Sequence, residues 1–438
     1  ASMVFPTIVA VFGVVAVHGR AGLLARAAQA LGVGPPTYLY GLAGILLAHA
    51  FFNAPLAARL YLNALEATPA AQWRVAASLG FRPRDVFRLI DRPALRRATP
   101  AAAGLIFMLC ATSFAPVLAL GGGPGAATLE VAIYEALRFE FDLPRAATLA
   151  IAQIALATSA LALGAAARGP RLGAHEATRP AARIDRDAVS TRIFDAAAFA
   201  LAGAAILSPV VGAAASGFEA AFAATLSDPS FARALLTSLA IAAPSGLAAT
   251  AAAWALAAAA TRLDVRLGRP RLAAAIGATS SLILAAPPFA LATGLFILLR
   301  PHVAPANAAL PLVIVTNALA ALPFALRAIG PALAAGAERH DRLARSLGVE
   351  GLARLRLIDW PTIRRPVGLA LATATAMSLG DLGVAALFGQ SATMTLPVLL
   401  YAYLGAYQMD RAAATMLALM ALIVGLFLII ERIVGGRA

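Results

Sequence analysis

The chain is 438 residues long, 61% hydrophobic and only 13% charged, with a mean hydropathy of +0.82. Such a composition lies outside the range of soluble domains and predicts an integral membrane protein. The formal net charge of +14 comes from 35 arginines and no lysine; these arginines sit in short loops without interleaved exposed aromatics, which argues against a nucleic-acid partner and for the lipid bilayer.

A hydrocarbon core takes about 20 apolar residues per helix. Ten stretches meet that length, at 2–18, 38–60, 98–120, 145–167, 193–215, 234–260, 273–299, 307–327, 367–389 and 410–432. The expected fold is therefore all-α, with about ten transmembrane helices and both chain ends on one side. If the loop at 59–97 is cytoplasmic, alternation puts 168–192, 262–271, 327–365 and the C-terminus inside as well. Those segments hold 28 of the 35 arginines, the bias expected of inward-facing loops. Residues 168–192 are polar and rich in Arg, Gly and Pro, and predict a cytoplasmic linker between a first half, 1–167, and a second half, 193–438.

The halves repeat each other. At a constant offset of 268, residues 73–97 and 341–365 are identical at 12 of 25 positions, among them Gly80 and Gly348, Asp91 and Asp359, Pro93 and Pro361. The register runs upstream to pair Pro55 with Pro323, and TLEVAIY at 128–134 answers TLPVLLY at 395–401. Pro6 and Gly13 find counterparts in Pro287 and Gly294. Six spans separate the two loops, an even number, so the repeat is parallel. Many secondary transporters are built instead from inverted repeats, although parallel halves occur among them too. The second half has six predicted spans and the first has four, which reads as a first half lacking about two N-terminal helices.

Each repeated loop predicts two short helices joined by a turn. RVAASLG ends on Gly80, suited to a left-handed position after a helix end. DVFRLIDRP is amphipathic, and Pro93 suits the start of the next membrane helix, where a missing N–H costs nothing. A basic loop kept only for its charge needs neither the spacing nor the apolar residues, whereas a partner with a groove for a short helix needs both. Two copies on one face fit a dimeric partner.

The spacing of glycine, nine residues, isoleucine, two residues and proline, met by Gly80, Ile90 and Pro93 and again by Gly348, Ile358 and Pro361, resembles the cytoplasmic loop of the inner-membrane components of binding-protein-dependent ABC importers. That family's loop opens Glu-Ala-Ala, where this chain has Arg74-Val75-Ala76 and Arg342-Leu343-Ala344, so only the last alanine is kept. The resemblance implies a type I ABC importer permease fold in a bacterial inner membrane. It also implies a dimeric ATPase docked through Ala76, Ser78, Leu79, Gly80, Phe87, Ile90 and Pro93 of one loop and Ala344, Ser346, Leu347, Gly348, Leu355, Ile358 and Pro361 of the other. A periplasmic substrate-binding protein is implied on the opposite side. A chain without lysine contains no GxxxxGK[ST] phosphate loop, so the expectation is a translocation subunit that is not itself an enzyme and carries no cofactor, ATP being bound by the partner.

Residues 378–432 are similar to the thiamine (thiamine pyrophosphate) ABC permeases, which also fuse two halves in one chain. Fused ferric iron permeases share that architecture and are the alternative; an ion-coupled secondary transporter is the alternative of another class. The latter would more often carry several partnered intramembrane charges, whereas only Asp381 falls well within a predicted span. Flanked by Gly380 and Gly383, Asp381 is a candidate for attracting a cation in the substrate path; the competing reading is a carboxylate bonded to freed backbone groups at a loosened turn. Its first-half counterpart, Ser113, is uncharged. Pro287 and Pro288, with Pro6, predict interrupted helices and complete the candidate path. The loops at 121–144 and 390–409 are expected to face outward, with Glu130, Glu135, Glu140 and Asp142 read first as a solvated charge run and second as suited to receiving the binding protein. The five histidines, His49 among them, read as loop or helix-end residues without metal-ligand spacing.

Overall fold

Residues 6–20, 22–35, 37–121, 123–166, 189–218, 222–388 and 394–436 are described by a computed structural model, and no strand occurs among them. The helices in chain order are α1 (Thr7–His18), α2 (Leu23–Ala30), α3 (Leu42–Glu66), α4 (Ala70–Ser78), α5 (Pro83–Val86), α6 (Arg92–Ala111), α7 (Ala115–Leu120), α8 (Leu129–Arg138), α9 (Leu143–Ala166) and α10 (Val189–Phe218). They continue as α11 (Phe222–Leu226), α12 (Pro229–Thr261), α13 (Pro270–Ala285), α14 (Pro288–Leu299), α15 (Pro305–Ser346), α16 (Gly351–Arg354), α17 (Trp360–Leu379), α18 (Gly383–Phe388), α19 (Leu396–Gly405) and α20 (Met409–Gly435). Most of the linker expected at 168–192 lies outside the described residues.

Proline and glycine punctuate the chain as their chemistry requires. Proline opens α5, α12, α13, α14 and α15, where its missing N–H has no intrahelical partner to lose. At the head of α12, Asp228 accepts hydrogen bonds from the Ser230 backbone N–H (2.8 Å) and hydroxyl (2.6 Å), which satisfies one of the otherwise orphaned donors.

Seven helical runs among the described residues are long and apolar enough to cross a membrane: Thr7–Ala30, Leu42–Glu66, Pro83–Ala111, Leu143–Gly164, Pro229–Val265, Asn307–Ser346 and Met409–Gly435. The spans expected at 98–120, 273–299 and 367–389 are each interrupted, between α6 and α7, α13 and α14, and α17 and α18. The helix expected to stop near 327 instead runs unbroken to Ser346 as α15, through Pro311, Pro323 and Pro331. Its counterpart in the first half is split at residues 67–69, because Pro69 caps a fresh helix, α4. The loops at 121–144 and 390–409 also hold two helices that the sequence did not announce, α8 and α19, packed on α9 and α20.

Repetition in sequence becomes repetition in structure. The bounds of α6 and α7 recur in α17 and α18 at the same offset of 268, and the twelve-residue α1 has a twelve-residue counterpart in α14. Equivalent helix pairs also approach each other through glycine. A Cβ on Gly104 of α6 would lie 2.9 Å from the Ala160 carbonyl oxygen and 3.3 Å from the Cα of Gly164 in α9, and one on Gly368 of α17 would lie 2.8 Å from the backbone N of Gly435 in α20. Between apolar helices in lipid such close backbone approach replaces the hydrophobic drive that lipid cannot supply.

One large core joins both halves, with Ile8 and Phe12 of α1, Leu120 of α7 and Ile133 of α8 in the same cluster as Phe289 of α14, Leu400 of α19 and Met416 of α20. α10 packs on α1 and α20, α12, α15 and α17 pack on one another, and α17 packs on α20. Large apolar side chains such as Leu46, Ile151, Leu163 and Leu428 remain on the outer surface, where acyl chains take the place of a protein neighbour.

Candidate functional site

Both repeated loops fold as hairpins with one backbone design. α4 ends at Ser78, Gly80 takes φ +62°, and two bonds close the end: the Gly80 N–H donates to the Ala77 carbonyl (3.2 Å) and the Phe81 N–H to the Ala76 carbonyl (3.0 Å). In the second loop Gly348 has φ +65°, its N–H donates to Arg345 (3.2 Å), and the Val349 N–H donates to Ala344 (2.9 Å). This is a Schellman closure, which a side chain at the glycine would strain. Ala76 and Ala344, the alanines kept from the family pattern, supply the accepting carbonyls and are each 1% exposed.

The expected break before Pro93 is absent. Phe87–Asp91 forms a π-turn that joins α5 to α6 in one run, and Leu355–Asp359 does the same between α16 and α17. The Arg92 N–H donates to the Phe87 carbonyl and the Trp360 N–H to the Leu355 carbonyl. The wider turn lets the helix pass a proline that has no N–H to donate.

The interiors of the hairpins differ. In the first, Trp73, Ala76, Val86 and Ile90 form a small apolar core with Phe81. In the second, the position of Trp73 holds Asp341 and that of Val86 holds Arg354, both buried. The Arg354 Nη1 lies 2.6 Å from Asp341 Oδ1 and its Nε 3.4 Å from Asp359 Oδ2, while Arg345 Nε stands 3.4 Å from Asp341 Oδ2. The same fold is held shut by packing once and by ion pairs once.

Exposure sorts the expected contact residues. Ile90 is buried inside its hairpin like Ala76 and Ala344, Leu355, Ile358 and Pro93 are half-buried, and Ser78, Gly80, Ser346, Gly348 and Pro361 are exposed. The apolar tips are Val75, Leu79, Phe87 and Leu89 on the first hairpin and Leu343, Leu347, Leu352 and Leu357 on the second, each more than half exposed. Val75, Leu343, Leu352 and Leu357 escaped the sequence reading, although Val75 with Leu79 and Leu343 with Leu347 stand one helical turn apart as the large apolar residues of their segments.

The three interruptions of apolar helices meet at one place. Residues 112–114, 286–287 and 380–382 all line a single cavity of about 430 Å³, together with Pro6 and Pro288. Non-helical backbone at membrane depth is tolerated where it is enclosed by protein or lines a cavity, because its polar groups need partners. Asp381, Pro287 and Pro288 are thus brought together, with Ser113 and Pro6 beside them. Positions related by the repeat face the same space: His49 with Asn317, Leu56 with Phe324, Met108 with Ala376, and Ser113 with Asp381.

Packing at the breaks is tight. A Cβ on Gly380 would lie 3.0 Å from Pro6 Cβ, and one on Gly383 would lie 2.7 Å from the Phe289 ring. The Phe114 and Phe289 rings stand 4.6 Å apart, and Tyr134 meets Phe114 edge-on at 5.2 Å. Asp381 accepts long hydrogen bonds from the backbone N–H groups of Val384 (3.4 Å) and Ala385 (3.3 Å), so the local role read from the sequence is present alongside the cavity-facing one. Asn317 donates to the Ser378 hydroxyl (3.0 Å).

Two expectations are corrected here. Glu130 does not present itself to a partner: it is 2% exposed and lines the cavity, because α8 folds back onto α9 and carries it inward. His49 is neither in a loop nor at a helix end; it sits within α3, lines the cavity, and its Nε2 is buried without a partner. Glu140 stays on the surface, paired with Arg145.

No protein-family model matches the chain. Among curated relatives, the thiamine transport system permease protein ThiP of Brucella melitensis biotype 1 is 43% identical over 437 residues, 99% of this chain and 79% of the relative. ThiP of Escherichia coli K12 is 40% identical over 441 residues, covering 99% and 81%. ThiP of Haemophilus influenzae Rd is 36% identical over 415 residues, covering 94% and 77%.

Proposed function

Because the chain belongs to the family of thiamine transport system permease proteins, we infer that it is the membrane permease subunit of an ABC importer that carries thiamine. The three relatives take their name from thiamine and none of them from ferric iron, so the iron reading has no support from them. The finer account that follows is ours.

The two hairpins receive a separate, dimeric ATPase on the cytoplasmic face of a bacterial inner membrane, and a periplasmic binding protein delivers thiamine from the other side. The single observation that carries this reading is the pair of hairpins, alike in turn, π-bulge and exposed apolar tips, yet distant in sequence. Exposed apolar side chains on short helices are what a groove-bearing partner binds, and two such elements answer a two-fold partner. Leu79, Phe87, Leu347 and Leu357 make the contacts. Ala76, Ile90 and Ala344 hold the hairpins in shape, and Gly80, Gly348, Pro93 and Pro361 fix their turns. ATP is bound and split by the partner, since this chain has no lysine for a phosphate loop.

Within the bilayer, a type I permease of two halves, 1–167 and 193–438, carries its substrate along the cavity bounded by Pro287, Pro288 and Asp381. The pairing of repeat-related positions across that space supports alternating access, because a relative tilt of the halves changes its width. Reconstitution in liposomes with the ATPase and the binding protein tests the proposal. ATP-dependent thiamine uptake is expected, and Leu79→Asp with Leu347→Asp abolishes both uptake and co-purification of the ATPase. Uptake that proceeds without ATP along a proton or sodium gradient refutes it.

A further inference from the structure

The cavity holds a second carboxylate. Glu130 Oε2 closes no hydrogen bond of normal length, and the residue is enclosed to 2% exposure in the same cavity lining as Asp381. Gln153 is buried as well, and its amide reaches the Glu130 carboxyl only through a weak contact. Among the described residues, none that lines the cavity is an arginine. A carboxylate kept this way, out of water and short of a partner, is costly as an anion and takes up a proton unless a cation is there to hold its charge.

Both acids are departures from the repeat. Asp381 answers Ser113, and Glu130 of TLEVAIY answers Pro397 of TLPVLLY. A chain otherwise duplicated has placed one acid from each half at non-equivalent positions facing one space. Phe114 and Phe289 line that space too, at 6% and 2% exposure. Aromatic walls attract a cation through the ring quadrupole, most strongly where water is excluded. The volume of about 430 Å³ lies within the range of about 300–1,000 Å³ usual for small-molecule sites.

We propose that Glu130 and Asp381 together hold the thiazolium cation of thiamine in transit, with Phe114 and Phe289 set against the ring. The proposal rests on the thiamine-permease reading above and adds the recognition site to it. The two acids supply charge from different sides, so neither alone needs to bind tightly, and release follows when a change in cavity width draws them apart. Asp381 spends part of its acceptor capacity on α18; Glu130 keeps a free oxygen for the substrate.

The test uses the complete transporter, with ATPase and binding protein, in proteoliposomes. Glu130→Gln and Asp381→Asn keep the shape and remove the charge, and each is expected to lower thiamine uptake at limiting concentration by about tenfold. Stimulation of ATP hydrolysis by the loaded binding protein is expected to persist in both, and Glu130→Asp to recover more than half of the uptake. Unchanged thiamine uptake overturns the site, as does a parallel fall in uptake and stimulated hydrolysis, or a Glu130→Asp variant as inactive as Glu130→Gln. If the unaltered transporter shows no ATP-driven thiamine uptake, the underlying reading fails first and takes the site with it; active wild type with unaffected variants defeats the site alone.

Discussion

Exchanging the interior of one hairpin for that of the other tests how the second is held together. Arg354→Val removes the guanidinium 2.6 Å from Asp341 and leaves that carboxylate, with its side chain 3% exposed, facing Arg345 at 3.4 Å. Removing one partner of a buried ion pair costs about 3–5 kcal/mol, because the other charge stays out of water. Asp341→Trp alone sets Arg354, 10% exposed, against an indole and leaves it the longer ion pair to Asp359 at 3.4 Å. The double variant rebuilds the Trp73–Val86 contact of the first hairpin at equivalent positions, and replacing a buried pair by packed apolar groups is commonly neutral or stabilising by about 1–4 kcal/mol. The expected coupling in the double-mutant cycle is therefore about 3 kcal/mol. Limited trypsin digestion of the purified complex reads it out, since cleavage at Arg342 and Arg345 follows the population of the opened hairpin when reclosing is fast. The Arg354→Val hairpin should be cut about a hundredfold faster than wild type, and the double variant at close to the wild-type rate. A double variant as labile as the single one refutes the equivalence of the two interiors.

Two further outcomes follow from backbone and charge. Gly80→Ala and Gly348→Ala place a Cβ in the left-handed region at φ +62° and +65°, at a cost of about 1–2 kcal/mol, so each should lower the thermal midpoint of the purified permease and weaken ATPase binding. At the head of α12, the Ser230 hydroxyl and backbone N–H, with Arg411 and Arg233 nearby, hold the Asp228 carboxyl below its usual value. A group depressed in the folded state contributes stability above its unfolded pKa and loses that contribution as the pH falls through the folded one. Asp228→Ala should therefore lower the midpoint at neutral pH, with the difference closing as the pH falls below the ordinary Asp value of about 3.9; a difference that stays constant through that fall contradicts the assignment.

Much of this architecture could be read from residue types alone. Gly80 and Gly348 announced left-handed turns because few other residues accept that backbone, and Pro287 and Pro288 announced a break because proline removes a donor. Glu130 was misplaced because an acid among Glu135, Glu140 and Asp142 looks like part of a solvated run; whether α8 turns that position inward depends on packing against α9, which no local pattern encodes. The available signal was its mismatch with Pro397 inside an otherwise matching segment. The contrast between the hairpin interiors was hidden for a related reason. Positions 73 and 86 differ from 341 and 354, and the two mismatches gain meaning only when the fold brings 73 and 86 into one core and pairs 341 with 354.

The helical run from Pro83 to Ala111 has 29 residues and therefore a length of about 43 Å, and the run from Gly351 to Leu379 matches it. Each begins in a hairpin and ends at the rim of the cavity, at 112–114 or 380–382. A continuous helix joins the two ends, so a shift at its base is passed toward its far tip, with the π-turn and the internal prolines Pro100 and Pro366 as the places where it can bend. On the proposed mechanism the pair would act like the two arms of a pair of tongs, with the gap between the handles setting the gap between the jaws beside Ser113 and Asp381.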